Sequence, residues 1–138
     1  MVGVLLLTHG GIGQALLDAA DHVLGGPQQN ARALGILPQD DPVEALTRAR
    51  AALAAVDSGQ GAIVFVDMFG ATPSNLAARL LAPGRVEGLA GVSLPMLVRA
   101  LAYRHLAIEE VLSRAIEAGT RGQVNMKEDA CNATARGS

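Results

Sequence analysis

The sequence predicts a three-layer α/β/α fold, a mainly parallel sheet with helices on both faces. Three observations predict it. Strand-like and helix-like patterns alternate along the chain. The strand segments are continuous apolar runs, so both of their faces are buried, as in parallel sheets. At 138 residues the chain is one domain, long enough for a real core. That core must be built from Ala, Val, Leu and Ile, because half of the residues are apolar and only 2% are aromatic.

The elements follow in order. Residues 2–8, Val-Gly-Val-Leu-Leu-Leu-Thr, form the first strand. A helix over Ile12–Leu24 is stopped by Gly25-Gly26-Pro27. Residues 33–37 are the second strand. Asp41 can N-cap the next helix, with Pro42 in its first position, and that helix runs to residue 56. Ala62–Val66 is the clearest buried strand. Gly70-Ala71-Thr72-Pro73 opens a third helix, with Thr72 as its N-cap, which ends near residue 81 before Pro83-Gly84. Val86–Ala90 is a weaker strand. Ser93-Leu94-Pro95 leads into a helix over residues 96–103, and another spans 108–117. A last short strand is expected at residues 123–127. The domain is expected to cover residues 1–129, with a disordered tail at 130–138.

Composition excludes several classes of function. The net charge is −2 and the charges are scattered, so no basic run points to nucleic acid or anionic lipid. Aromatic platforms for stacking single-stranded bases are almost absent. Cys131 is the only cysteine, which rules out an intramolecular disulfide and argues against a cysteine zinc site. That usage fits a reducing cytoplasm. The N-terminal apolar run is short and lacks a basic flank, so it does not read as a signal peptide. No apolar stretch approaches the ~20 residues a membrane span needs.

In a parallel sheet, ligands bind at the carboxyl ends of the strands. Three unusual loops fall there: Thr8-His9-Gly10-Gly11, Asp67 to Asn75, and Gly91 to Met96. His9 stands between an apolar strand and a glycine-rich turn that opens a helix. Imidazole can act as base, ligand or nucleophile near neutral pH. The helix start behind it favours an anion, so phosphoryl chemistry on His9 itself is the expectation. If strands 1 and 3 are neighbours, Asp67 lies near His9. An Asp accepting one ring N–H fixes the tautomer and leaves the other nitrogen to attack phosphorus. Gly10, Gly11 and Gly70 let the backbone approach the phosphate closely. Thr72 offers either an N-cap or a hydroxyl to a phosphate oxygen. Phe69 and Met96 are expected to form an apolar docking rim, the competing reading being that they are core.

Each feature has a plainer alternative. A strand-end His can be structural, and Asp67 can merely cap the next turn. Gly10-Gly11-Ile12-Gly13 lacks the G-x-G-x-x-G spacing of a dinucleotide turn. Phosphorylation on Asp67, as in a receiver domain, would need an acidic pair after strand 1, and Thr8-His9 supplies none.

Three segments together carry a resemblance: Val4-Leu5-Leu6-Leu7-Thr8-His9-Gly10, then Val64 through Asn75, then Ala90-Gly91-Val92-Ser93-Leu94-Pro95-Met96-Leu97. In their order and spacing the chain resembles the mannose-family IIA domain of the bacterial sugar phosphotransferase system. The resemblance implies a homodimeric phosphorelay protein. His9 would take a phosphoryl group from the phosphocarrier HPr and pass it to a IIB protein, with Asp67 paired to His9. It implies a sheet of order 2-1-3-4, with an antiparallel last strand at 123–127 exchanged between subunits. It implies no cofactor, neither metal nor nucleotide, because donor and acceptor are both phosphohistidines. Two positions depart from the family pattern: Ala71 replaces a glycine common there, and Met68 a small polar residue. Two other roles share this chemistry. One is the phosphotransferase subunit of a dihydroxyacetone kinase system; the other is a regulator switched by phosphorylation of His9.

Overall fold

A computed structural model of the chain describes residues 1–127. Four strands form one sheet: β1 (Gly3–His9), β2 (Ala31–Ile36), β3 (Ala62–Val66) and β4 (Val86–Ala90). Their order is β2-β1-β3-β4, and each neighbouring pair is parallel. Five helices complete the described fold: α1 (Ile12–Leu24), α2 (Pro42–Val56), α3 (Thr72–Ala78), α4 (Leu94–Tyr103) and α5 (Ile108–Arg121). The three layers and the strand order are those expected.

The period of two along β1 divides the core. Val2, Val4 and Leu6 face one side, where they pack with Ile63, Phe65 and residues of α1, α4 and α5. Leu5 and Leu7 face the other, against Val64, Val66 and residues of α2 and α3. Continuing that alternation sends the Thr8 side chain towards the α1 layer and His9 towards the α2–α3 layer.

Local chemistry explains the helix ends. The Asp41 carboxylate accepts the Glu44 N–H at 3.1 Å, with Pro42 in the first turn of α2. Gly25 adopts the left-handed conformation (φ 88°), and the Gly26 N–H closes α1 on the Asp21 carbonyl at 2.8 Å. α5 runs past residue 117 to Arg121, because buried Ala118 prolongs its apolar face and Arg121 sits favourably in its last turn. α3 is shorter than expected and stops at Ala78.

One expectation is corrected, and one strand is not formed within the single chain. Thr72 is the first residue of α3 and not its cap; Ala71 holds that position, without a side-chain cap. The segment 123–127 forms no strand in the single chain: residues 123–125 have no regular structure, and 126–127 are helical. A strand exists only through hydrogen bonds to a neighbour, and among the described residues no such ladder is formed there. The expected tail at 130–138, with Cys131, lies outside the described residues. Among the described residues, no helix is long and apolar enough to cross a membrane.

Candidate active site

The strand order creates the site. β1 and β3 are adjacent, with Leu7 opposite Val66, so the residues that follow both strands meet at one rim. His9 is the last residue of β1, and Asp67 comes directly after β3. Asp67 Oδ2 lies 2.8 Å from His9 Nδ1 and also accepts the His9 backbone N–H at 3.1 Å. Asp67 Oδ1 accepts the Met68 N–H at 3.1 Å. The Asp67 side chain is 13% exposed and that of His9 47%.

The electrostatics follow from these contacts. Burial pushes the Asp67 carboxyl upward, but hydrogen bonds from the His9 ring, the His9 amide and the amide beside Asp67 outweigh it. The net result is a carboxyl held below its ordinary range. An ionised carboxylate only accepts, so Nδ1 carries the shared hydrogen. Nε2 is then the nitrogen with the available lone pair in the neutral ring.

A cleft of about 470 Å³ opens beside the ring. His9, Gly10 and Thr72 line one side; Leu37, Pro38 and Asp40 line another. Asp40 holds that second wall. Its carboxylate accepts the Leu37 N–H at 2.8 Å and pairs with Arg48 at 3.0 Å. The Leu37 amide is the main influence keeping the Asp40 carboxyl below its ordinary range, and Arg48 adds to it. The β2–α2 loop therefore belongs to the site, although the sequence marked it only as a helix cap. Its signal was the second aspartate, one residue before the cap.

Of the expected phosphate-binding residues, Gly10 and Thr72 reach this cleft, whereas Gly11 and Gly70 do not line it. Gly11 is the N-cap of α1. Gly70 turns the chain towards α3 in a conformation (φ 85°) that favours glycine. Phe69 stands on the rim and is 82% exposed. Met96 does not join it, which corrects the docking expectation for that residue. It is 7% exposed and sits in the core layer with Leu97, Ala100 and Leu101. Ser93 caps α4, and Gly119 of α5 leaves the space that Met96 Cε fills.

Comparison with known proteins agrees with this geometry. The family described as "PTS system fructose IIA component" matches residues 3–116. The mannose-specific EIIAB component of the phosphotransferase system from Escherichia coli K12 is 30% identical over 129 residues. That match covers 91% of this chain and 40% of the relative, so the chain spans well under half of that protein's length. The fructose-specific EIIA component of Bacillus subtilis is 30% identical over 115 residues, covering 82% of this chain and 78% of the relative. Among solved structures, a IIA protein associated with the fucose utilization operon of Streptococcus pneumoniae superimposes with a TM-score of 0.78 at 26% identity, over 94% of this chain and 99% of that one. The EIIA component of Streptococcus agalactiae shares the fold with a TM-score of 0.81 at 17% identity, over 93% of this chain and 99% of that one. With its sheet order, its rim and these relatives in agreement, the chain belongs to the mannose/fructose family of phosphotransferase-system IIA components.

Proposed function

We propose that this protein is a phosphohistidine carrier, accepting a phosphoryl group from phospho-HPr on His9 and passing it to a IIB protein. The observation that carries the reading is the 2.8 Å contact between Asp67 and His9 Nδ1, which leaves Nε2 on an exposed ring. In the forward step Nε2 attacks phosphorus in line. The new N–P bond forms as the donor's N–P bond breaks, and the bonding pair returns to the donor imidazole. The Asp67 carboxylate stabilises the positive charge that the ring gains. The Thr72 hydroxyl and the backbone at Gly10, both of which line the cleft, receive the phosphoryl oxygens. Transfer to IIB runs the same step in reverse, so no metal or nucleotide enters.

The surface around His9 supports a protein as donor. Ile12, Leu37, Val43, Met68 and Phe69 are exposed, and all lie in segments that follow β1, β2 or β3. Leu37 lines the cleft beside His9, and the others add exposed apolar surface to the segments that follow the strands, the composition of an interface centre. Phe69 is the residue proposed to anchor HPr. Relay between such proteins places the chain in the cytoplasm. The sugar, where transport is the purpose, would be chosen by a separate membrane subunit.

A homodimer is part of the same proposal. Among the described residues β4 is the last strand on its side of the sheet, bridged at Val86 by Ala82, and exposed Ile116 and Val124 lie on the α5 side of the fold. The segment 123–127 of a second copy would pair there.

Incubation with enzyme I, HPr and phosphoenolpyruvate tests the relay. An acid-labile, base-stable label that is absent from His9→Ala is the expected result. Acid-stable label, or label retained in His9→Ala, overturns the reading.

A further inference from the structure

We infer that Thr8 and Gly35 are positioning residues for His9, fixing from two sides the backbone turn that carries its ring. The inference rests on the phosphohistidine reading above, but its geometry stands apart from the Asp67 contact.

Thr8 directly precedes His9 at the end of β1, after an apolar run, and it is fully buried. Its hydroxyl oxygen accepts the Gly13 N–H at 2.8 Å. Gly13 is the second residue of α1, one of the positions whose amide a helix leaves unpaired. The N-cap of α1 is Gly11, which has no side chain with which to satisfy it. Thr8 supplies that cap from the strand instead, and the bond closes a short loop with His9 and Gly10 inside it. The fit leaves no slack. A Cβ at Gly13 would lie 2.9 Å from Thr8 Oγ1 and 3.1 Å from Leu6 Cβ.

β2 holds the other side. The Gly10 N–H donates to the Ile36 carbonyl at 3.0 Å. A Cβ at Gly35 would meet the Gly10 carbonyl oxygen at 2.2 Å and its carbon at 2.9 Å. These are backbone atoms, so no rotamer change relieves the clash. Any side chain at position 35 must displace the turn or lift the β2 edge. Glycine inside a strand marks such an approach of two backbones.

Asp67 orients the ring; Thr8 and Gly35 place the backbone from which the ring projects. In-line transfer is steep in this placement, and a shift of about 1 Å can cost about a hundredfold in rate. The two residues therefore act on the chemical step rather than on docking.

The test uses the full chain with phospho-HPr in rapid-quench kinetics. Thermal unfolding and ¹⁵N resonances of the His9 ring, assigned with His9→Ala, accompany it. Thr8→Val keeps the shape and removes the acceptor; Thr8→Ser keeps the acceptor. Thr8→Val and Gly35→Ala should lower kcat about tenfold or more, leave KM for phospho-HPr unchanged and shift the His9 ring resonances. Thr8→Ser should stay within about threefold of the parent. Parent-like kcat and ring resonances in both Thr8→Val and Gly35→Ala overturn the inference. So does Thr8→Ser as slow as a folded Thr8→Val. If Thr8→Val does not fold, Gly35→Ala decides by the same readouts. If the parent takes no phosphoryl group from phospho-HPr, the carrier reading has failed. The ring resonances of the variants then judge the positioning alone.

Discussion

A single oxygen of Asp67 holds His9 twice, at the ring Nδ1 (2.8 Å) and at the backbone amide (3.1 Å). Ring tautomer and backbone position are thus tied to one carboxylate, which a purely structural ion pair would not require. Phosphoryl transfer benefits from both, because the attacking nitrogen must be unprotonated and aimed.

Asp67→Asn tests that coupling. The amide is nearly isosteric but carries no charge to stabilise the ring once it is phosphorylated. Loss of a hydrogen bond to a charged group costs about 1.5–3 kcal/mol, which is roughly a tenfold to hundredfold slower transfer. The melting temperature should change little. Parent-like transfer kinetics in Asp67→Asn would show that the two side chains act independently.

The same contact has a pH signature. Hydrogen bonds from His9 keep the Asp67 carboxyl below its ordinary value of 3.8. A depressed carboxyl contributes stability that is complete well above that value and is lost as the pH falls through the folded midpoint. The pair should therefore persist at neutral pH and fail only in strong acid. In His9→Ala the ring's hydrogen bond and its charge attraction disappear while the backbone amides still donate, so the Asp67 midpoint should rise. Carboxyl ¹³C titration by NMR measures this, and an unmoved midpoint in His9→Ala contradicts the linkage.

Phe69 and Met96 should respond in opposite ways. Phe69 is 82% exposed, so Phe69→Ala should alter stability by no more than about 0.5 kcal/mol. As an interface anchor it should weaken HPr binding by more than about 1 kcal/mol, roughly fivefold. Met96 is buried, and Met96→Ala should cost about 2–5 kcal/mol of stability with little effect on HPr affinity per folded molecule. Calorimetric titration with HPr and thermal melts separate the two. Unchanged HPr affinity in Phe69→Ala would remove that residue from the docking surface.

Oligomeric state tests the open edge. The full chain should scatter light as a dimer at micromolar concentration. Removal of residues 122–138 should yield a monomer or an aggregating protein, because the β4 edge loses its cover. A monomeric full chain would contradict the exchanged arm.

Much of this architecture was legible in the sequence, for local reasons. Continuous apolar runs at residues 2–8 and 62–66 announced strands buried on both faces. Asp41-Pro42 announced a helix start, and Gly25-Gly26 a helix stop. Since every crossover places strand ends on one rim, His9, Asp67 and Phe69 had to share an edge of the molecule. Sharing an edge is weaker than touching. Only the placement of β3 beside β1 brought Asp67 to 2.8 Å from His9, and strand order depends on which helices cover which face, not on local pattern. Helix rotation was not legible in local pattern either. Met96 reads as rim or core until α4 packs on α5 and buries it against Gly119. Thr72 reads as a cap until Ala71 takes that position. The segment at 123–127 forms no strand in the single chain, because a strand is made by its neighbour. Composition and periodicity determined the elements and the rim on which the chemistry sits. Tertiary packing decided which side chains meet there, because contacts between residues 58 positions apart are set by how whole layers pack.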